Sequence, residues 1–223
     1  YKVYQAMRYT PPFAQDVIKE ILKDGITNIL LLPLYPQFST TTTKSSVQDF
    51  IDYTPYSCKL EYIEEFYQNK KFNECIINEI ISNVEDASEY NLIFSAHGLP
   101  QKIVDKGDPY EEQMNEHVEI LKNMLETKGV NFKSINLAYQ SKVGPMKWLE
   151  PSLEDMLKNF KEQKVIIYPI AFIVDNSETD FELNIEYREV AHDLGIKEYK
   201  VCRCVNESDD FIEAIKNIIK GHK

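Results

Sequence analysis

The sequence predicts an α/β protein made of two lobes of parallel sheet flanked by helices, and three observations carry that reading. Short apolar runs alternate with longer amphipathic stretches, the order that βαβ units produce. Leu92-Ile93-Phe94 and Val165-Ile166-Ile167-Tyr168 are unbroken apolar runs, as strands covered on both faces require. A polar stretch at 85–90 follows a helical pattern and divides the chain.

The elements follow in order. Strands are expected at 2–7, 28–32, 60–63, 91–95, 135–139, 164–168 and 199–202. Helices are expected at 13–24, 43–53, 71–85, 110–128, 152–163, 179–193 and 209–220. The first helix follows Pro11-Pro12 and ends at Gly25, the usual asymmetry of helix ends. Asp108-Pro109 and Ser152 read as helix starts and Lys128-Gly129 as a stop. The expected division is 1–86 for the remaining part of a first lobe, 87–205 for a second lobe with the chemistry, and 206–223 for a C-terminal helix.

Composition narrows the function classes. The 223 residues carry 36 acidic and 25 basic side chains, a net charge of −11. Nucleic acid is disfavoured as a partner, because phosphate binding needs clustered cations. Cys58, Cys75, Cys202 and Cys204 form no C-x2-C pair and no disulfide scaffold, so a reducing compartment, the cytoplasm, is expected. The longest apolar run, 29–34, is strand length and far short of the ~20 residues that span a bilayer. The opening Tyr1-Lys2-Val3-Tyr4 is not a signal peptide, and a start inside a strand-like run is expected of a fragment.

In open parallel sheets, ligands bind beyond the C-terminal ends of the strands. Four unusual connections lie there: 33–46, 96–110, 140–151 and 169–178. His97 emerges at the lip of a central strand, before a turn made by Gly98 and Pro100. It is either a satisfied turn histidine or a functional one. Glu178, Glu182 and Glu186 recur at i, i+4 and i+8, which stacks three carboxylates on one helical face. That line is either a solvated face near a helix start or a track for cations or protons. Trp148, the single tryptophan, lies in a loop with Gly144, Pro145 and Pro151, as a stacking surface or a cap on the core. The segment 33–46 adds Tyr35, Phe38 and a hydroxyl cluster containing Ser39.

Together these segments resemble the ferrochelatase family. The matching stretches are Leu-Pro-Leu-Tyr-Pro-Gln-Phe-Ser from Leu32, Phe-Ser-Ala-His-Gly-Leu-Pro from Phe94 with Gly-Asp-Pro-Tyr from Gly107, Tyr-Gln-Ser-Lys-Val-Gly-Pro from Tyr139, and Pro-Ile-Ala-Phe from Pro169 with Glu178-Thr179. Met7-Arg8-Tyr9 resembles the family's arginine-bearing strand end. The resemblance implies two Rossmann-like lobes of a chelatase-like fold, the first incomplete, and insertion of ferrous iron into a porphyrin to form haem. Protoporphyrin IX is the expected macrocycle, although the sequence does not separate it from coproporphyrin.

It implies that His97 and Glu178 are catalytic and meet the metal, with Glu182 and Glu186 continuing an acidic path. Trp148 would pack on a distorted macrocycle, Arg8 would lie near a propionate, and Tyr35 and Ser39 would line the substrate site. Fe²⁺ enters as substrate. No tightly bound cofactor is expected, and Cys202 and Cys204 are too few for an iron–sulfur cluster. Peripheral membrane contact suits a hydrophobic product, but no amphipathic anchor is evident; the oligomeric state is not legible.

Three departures stand out. Asn176 occupies a position where the family commonly has histidine, and an amide cannot carry a proton. Thr43-Lys44-Ser45 replaces the usual Thr-Gly-Ser. About the first third of a usual family chain is absent. These leave a second reading, a tetrapyrrole- or metal-binding remnant with weak or no chemistry. A third, a chelatase for cobalt or nickel, is disfavoured by the Tyr139–Pro145 stretch.

Overall fold

A computed structural model describes residues 1–222, which fall into two compact units divided between Glu65 and Phe66. In the first unit, helix α1 (Ala14–Lys23) precedes strand β1 (Asn28–Leu31), and helix α2 (Thr43–Tyr53) leads to strand β2 (Lys59–Tyr62). β1 and β2 pair in parallel, Asn28 opposite Lys59. Val17, Ile18 and Ile21 are the apolar stripe of α1 and bury against Tyr4, Ala6, Ile26, Ile29 and Phe50. The helix ends as expected: Gly25 takes φ +72° and the Ile26 N–H returns to the Ile21 carbonyl at 3.2 Å. The expected strand at 2–7 does not form. Its one ladder contact is an isolated bridge from Met7 to Phe13, and Lys2 and Tyr4 instead both hydrogen-bond the Asp24 carboxylate.

The second unit holds helix α3 (Lys70–Ser82), strand β3 (Tyr90–His97), helices α4 (Gln101–Val104) and α5 (Tyr110–Thr127), and strand β4 (Ser134–Gln140). Helix α6 (Leu153–Leu157), strand β5 (Lys164–Pro169), a π-helix (Glu178–Glu186), helix α7 (Tyr187–Asp193), strand β6 (Glu198–Val201) and helix α8 (Asp209–Gly221) complete it. The strands form one parallel sheet in the order β4-β3-β5-β6, so β3 is central. Ile93, Ala138, Val165 and Ile167 point to one face and pack on Leu153, Leu157, Leu183 and Ala191. Phe94, one step along β3, faces the other way and meets Tyr168 edge-on at 6.3 Å. Burying one such Ile or Leu contributes about 1.5–3 kcal/mol, which is why unbroken apolar runs select the central strands.

Asn69, Ser152 and Ser208 cap α3, α6 and α8 through side-chain oxygens that accept the N–H three residues on, at 3.1, 3.2 and 3.3 Å. Three expectations change. Helix α3, grouped with the first lobe on sequence, packs on α5 and α8. The helix expected at 152–163 stops at Leu157, continues as one 3-10 turn, and breaks where Glu162 takes φ +60°. The helix expected at 179–193 starts one residue earlier and is a π-helix over Glu178–Glu186.

Candidate functional site

The site begins where β3 ends. Leu92, Ile93, Phe94, Ser95 and Ala96 are fully buried, and His97 is the first residue of the strand to reach the surface. Its register partner is Gln140, the last residue of β4. Gly98 then donates its N–H to the Gln140 carbonyl at 2.9 Å. A Cβ on Gly98 would stand 2.8 Å from that carbonyl oxygen and 3.4 Å from Trp148 Cε3, so the close approach of strand end and indole requires glycine. Leu149 N–H to the Leu99 carbonyl and Gln101 N–H to the Lys147 carbonyl, both 2.9 Å, lace the two loops together. Trp148 is half-buried, with its indole N–H on the Val143 carbonyl at 3.1 Å.

Tyr110 fixes His97 from behind. Its hydroxyl donates to the His97 carbonyl at 3.0 Å, and burial drives the phenol well above its ordinary range, so it remains a donor. From in front comes Glu178, whose Oε2 lies 2.6 Å from His97 Nδ1. The hydrogen bond to Glu178 raises the imidazole above its usual 6.5, against the opposing effect of burial. Burial works to raise Glu178 as well, but the bonds from His97 and Ser141 outweigh it and leave the carboxyl below its usual 4.5. Histidine is thus biased towards its charged form and glutamate towards its own.

Ser141 joins this pair to the next carboxylate. It stands just past the end of β4 with φ +65°, uncommon for a residue with a Cβ. Its N–H donates to Glu182 Oε1 at 2.8 Å, while its hydroxyl lies 2.6 Å from Glu182 Oε2 and 3.1 Å from Glu178 Oε2. Gln140 adds its amide to Glu182 at 3.3 Å and accepts the buried Ser95 hydroxyl at 2.6 Å. Glu182 also lines an open cleft of about 450 Å³ together with Ser141, Tyr187, Glu154 and Asp155.

The π-helix changes how the acidic line is set out. At about 4.4 residues per turn, a step of four residues falls just short of one turn instead of just past it. Glu178 and Glu182 still share a face, and Ser141 bonds both. Glu186 is exposed, and no hydrogen bond ties it to the other two among the described residues. Asn176 has a structural place: its Oδ1 accepts the Glu178 N–H at 2.8 Å.

The structure brings together His97, Glu178 and Glu182, with Trp148 beside Gly98. Arg8, Tyr35 and Ser39 belong to the first unit. There Arg8 pairs with Asp49 at 3.5 Å, Tyr35 is exposed, and Ser39 is buried with its hydroxyl 2.8 Å from that of Thr41. Ser45 turns its hydroxyl onto the Thr41 and Thr42 carbonyls at 2.9 and 3.0 Å, so much of the hydroxyl cluster folds its own turn. Lys44 is an exposed residue of α2, where its Cβ meets no left-handed backbone.

Sequence reasoning missed Ser141, Gln140, Tyr110 and Ser95. All four stand in the stretches that carry the family resemblance, which was the signal available for them; their hydrogen-bond partners were not legible there. No group of three or more His, Cys, Asp or Glu side chains is set to hold a metal ion among the described residues. His97 and Glu178 offer one nitrogen and one oxygen donor side by side.

The family model for ferrochelatase matches residues 1–223. The ferrochelatase of Sulfurimonas denitrificans is 54% identical over 218 residues, which span 96% of this chain and 69% of that protein. The ferrochelatase of Nitratiruptor sp. is 50% identical over 221 residues, spanning 97% of this chain and 71% of that protein. Among solved structures, SirB from Bacillus subtilis with Fe³⁺ superimposes with a TM-score of 0.70 at 11% identity, covering 95% of this chain and 77% of that one. CbiX, described as the terminal enzyme for biosynthesis of siroheme in denitrifying bacteria, gives 0.60 at 14% identity over 90% of this chain and 78% of its own. At such identities the likeness concerns the fold, a chelatase-like arrangement of parallel sheets and helices.

Proposed function

The chain belongs to the ferrochelatase family, and from that premise we propose that it inserts ferrous iron into a porphyrin to form haem. The observation that carries the proposal is the 2.6 Å pair of His97 Nδ1 and Glu178 Oε2 at the C-terminal lip of the central strand. Insertion exchanges two pyrrole N–H protons for one Fe²⁺, so the site must accept protons and pass a cation without keeping it. With Nδ1 engaged by Glu178, Nε2 is the nitrogen that would take a pyrrole proton. The imidazolium so formed is stabilised by the carboxylate beside it, and Glu178 also fixes the ring's orientation. One nitrogen and one oxygen donor suit a metal in transit, since the macrocycle's four nitrogens must win it.

Glu182, joined to Glu178 through Ser141, supplies a second acceptor facing the open cleft. Glu186 would mark only the solvent end of the acidic line. Trp148 would offer its ring to the macrocycle, and Arg8, Tyr35 and Ser39 would line the substrate site, Arg8 on a propionate. The reading includes no tightly bound cofactor, a reducing cytoplasm that suits four free thiols, and peripheral contact with a membrane for release of a hydrophobic product.

The test is an anaerobic insertion assay that follows porphyrin fluorescence with Fe²⁺ or Zn²⁺, on this chain and on His97→Ala, with circular dichroism to verify folding. Metallation by the parent and none by the variant is the expected result. A folded chain that binds porphyrin and inserts neither metal overturns the enzymatic reading and leaves a carrier.

A further inference from the structure

We infer that Asn176 is a positioning residue that presents the Glu178 carboxylate to His97 through a reciprocal cap at the start of the π-helix. The inference deepens the proposed function and rests on it for its kinetic consequence. Asn176 Oδ1 accepts the Glu178 N–H at 2.8 Å. In return the Thr179 hydroxyl accepts the Asn176 N–H at 2.8 Å, and the Asn176 carbonyl accepts the Thr179 and Asp180 N–H groups at 3.1 and 2.8 Å. The Glu178 N–H and the Asn176 N–H are thereby satisfied by the side chains of Asn176 and Thr179, the logic of a capping box with threonine in the third place. Thr179 is 1% exposed, so its half of the box is fixed by packing. The Asn176 amide nitrogen donates to the Val174 carbonyl at 3.0 Å, which decides which end of the amide faces Glu178.

The cap is itself held from a distant part of the chain. The Asp175 N–H donates to Asn206 Oδ1, and Asn206 Nδ2 returns to Asp175 Oδ2, both at 2.9 Å. The Cys204 N–H and Arg203 Nε also donate to Asp175, at 2.8 and 2.9 Å. Asn206 keeps φ +48° to make this reciprocal pair, and its own N–H closes on the Ile173 carbonyl at 2.8 Å. The loop after β5 is therefore pinned on both sides within four residues of Glu178. The carboxylate is the free end of this lever, and the 2.6 Å contact to His97 leaves little room for misplacement. Here an amide does backbone work that needs no titratable group.

The experiment compares the parent chain with Asn176→Ala, Asn176→Ser and Thr179→Val. Kinetics are read as kcat and KM for porphyrin with Zn²⁺, and the His97 Nδ1 proton is read by NMR without any substrate. In Asn176→Ala, kcat falls about tenfold at unchanged KM, and the downfield Nδ1 resonance of the short bond broadens or moves upfield. Asn176→Ser, which keeps a capping oxygen, recovers kcat to within about threefold and restores the resonance. Thr179→Val shifts both readouts in the direction of Asn176→Ala. An unmoved resonance in Asn176→Ala overturns the inference, as does an equal loss in the Ala and Ser variants. If the parent inserts no metal, the functional reading fails while the resonance still decides the positioning role.

Discussion

His97 and His117 are the same residue in two regions of one unit, and their surroundings push them in opposite directions. His97 ends the central strand, is 40% exposed at its side chain and holds a carboxylate at 2.6 Å, which raises it. His117 lies in the middle of α5, fully buried, with Nε2 2.8 Å from Asn73 Oδ1 and the rings of Tyr67 and Phe72 beside it. Burial alone pushes it down to about 3. One imidazole is partly exposed and biased towards its charged form; the other is kept neutral as a polar part of the core. A partner carboxylate together with partial access separates a chemical histidine from a structural one.

The comparison breaks most directly with paired alanine variants. His97→Ala is expected to lower metal insertion at least about a hundredfold, the usual scale of a lost proton acceptor, while unfolding midpoints barely move. His117→Ala should do the reverse. Removing a buried ring and orphaning Asn73 costs about 2–4 kcal/mol of unfolding free energy, with activity per folded molecule unchanged. The assay and a urea titration on both variants check this, and a large stability loss in His97→Ala would erase the distinction.

Gly98 sharpens the comparison, because nothing like it adjoins His117. A Cβ 2.8 Å from the Gln140 carbonyl oxygen must push the strand end or Trp148 aside. Gly98→Ala is expected to cost about 1–3 kcal/mol, as overpacking does, and to raise the KM for porphyrin. A variant with parental stability and KM would mean the lip is looser than its spacing implies.

Acid separates the two histidines next. The folded state holds His117 near 3 while the unfolded chain titrates near 6.5, so between those values the unfolded state binds the extra proton. Stability therefore rises with pH across that window, by up to about 1.4 kcal/mol per pH unit from this group. His97 has the opposite sign. Its raised value gives a contribution that is full below 6.5 and fades as pH climbs through the folded value. Glu178, lowered from 4.5, contributes above 4.5 and loses that as pH falls through its folded value. Urea titrations at pH 7 and 5 should give a shallower slope for His117→Leu than for the parent. In the proposed reaction the neutral His97 is the acceptor, so the acid limb of kcat should sit above 6.5 and move down in Glu178→Gln.

Much of this was legible before any coordinates. The unbroken runs at 92–94 and 165–168 identified the central strands, and position at a strand lip made His97 a candidate, because burial pattern and strand ends are written locally. His117 falls inside the helix expected at 110–128, where the pattern does not separate a surface histidine from a packing one, and the structure makes it packing. The segment 2–7 misled because a strand-like run says nothing about whether a partner strand is there to pair with it. Ser141 stayed hidden because its role depends on a left-handed backbone and on two carboxylates 37 and 41 residues away. Asn176 looked like a missing proton carrier because a one-letter comparison shows chemistry and not hydrogen-bond geometry.

The smallest expected effect concerns the acidic line, where the spacing of 178, 182 and 186 suggested three equivalent carboxylates. The π-helix makes them unequal. Glu182 receives the Ser141 N–H, the Ser141 hydroxyl and the Gln140 amide, whereas Glu186 is exposed and has no such donors among the described residues. A carboxylate in bulk solvent acts on a site several residues away only through a screened field, worth a few tenths of a kcal/mol. Glu186→Gln should therefore leave kcat within about twofold of the parent, with any difference vanishing at high salt. Glu182→Gln, which unbalances the Ser141 clamp, should lower it several-fold and keep that loss in salt. Equal losses in the two variants would mean that the acidic path runs outward along the helix face; unequal ones direct it from Glu178 through Ser141 and Glu182 to the open cleft.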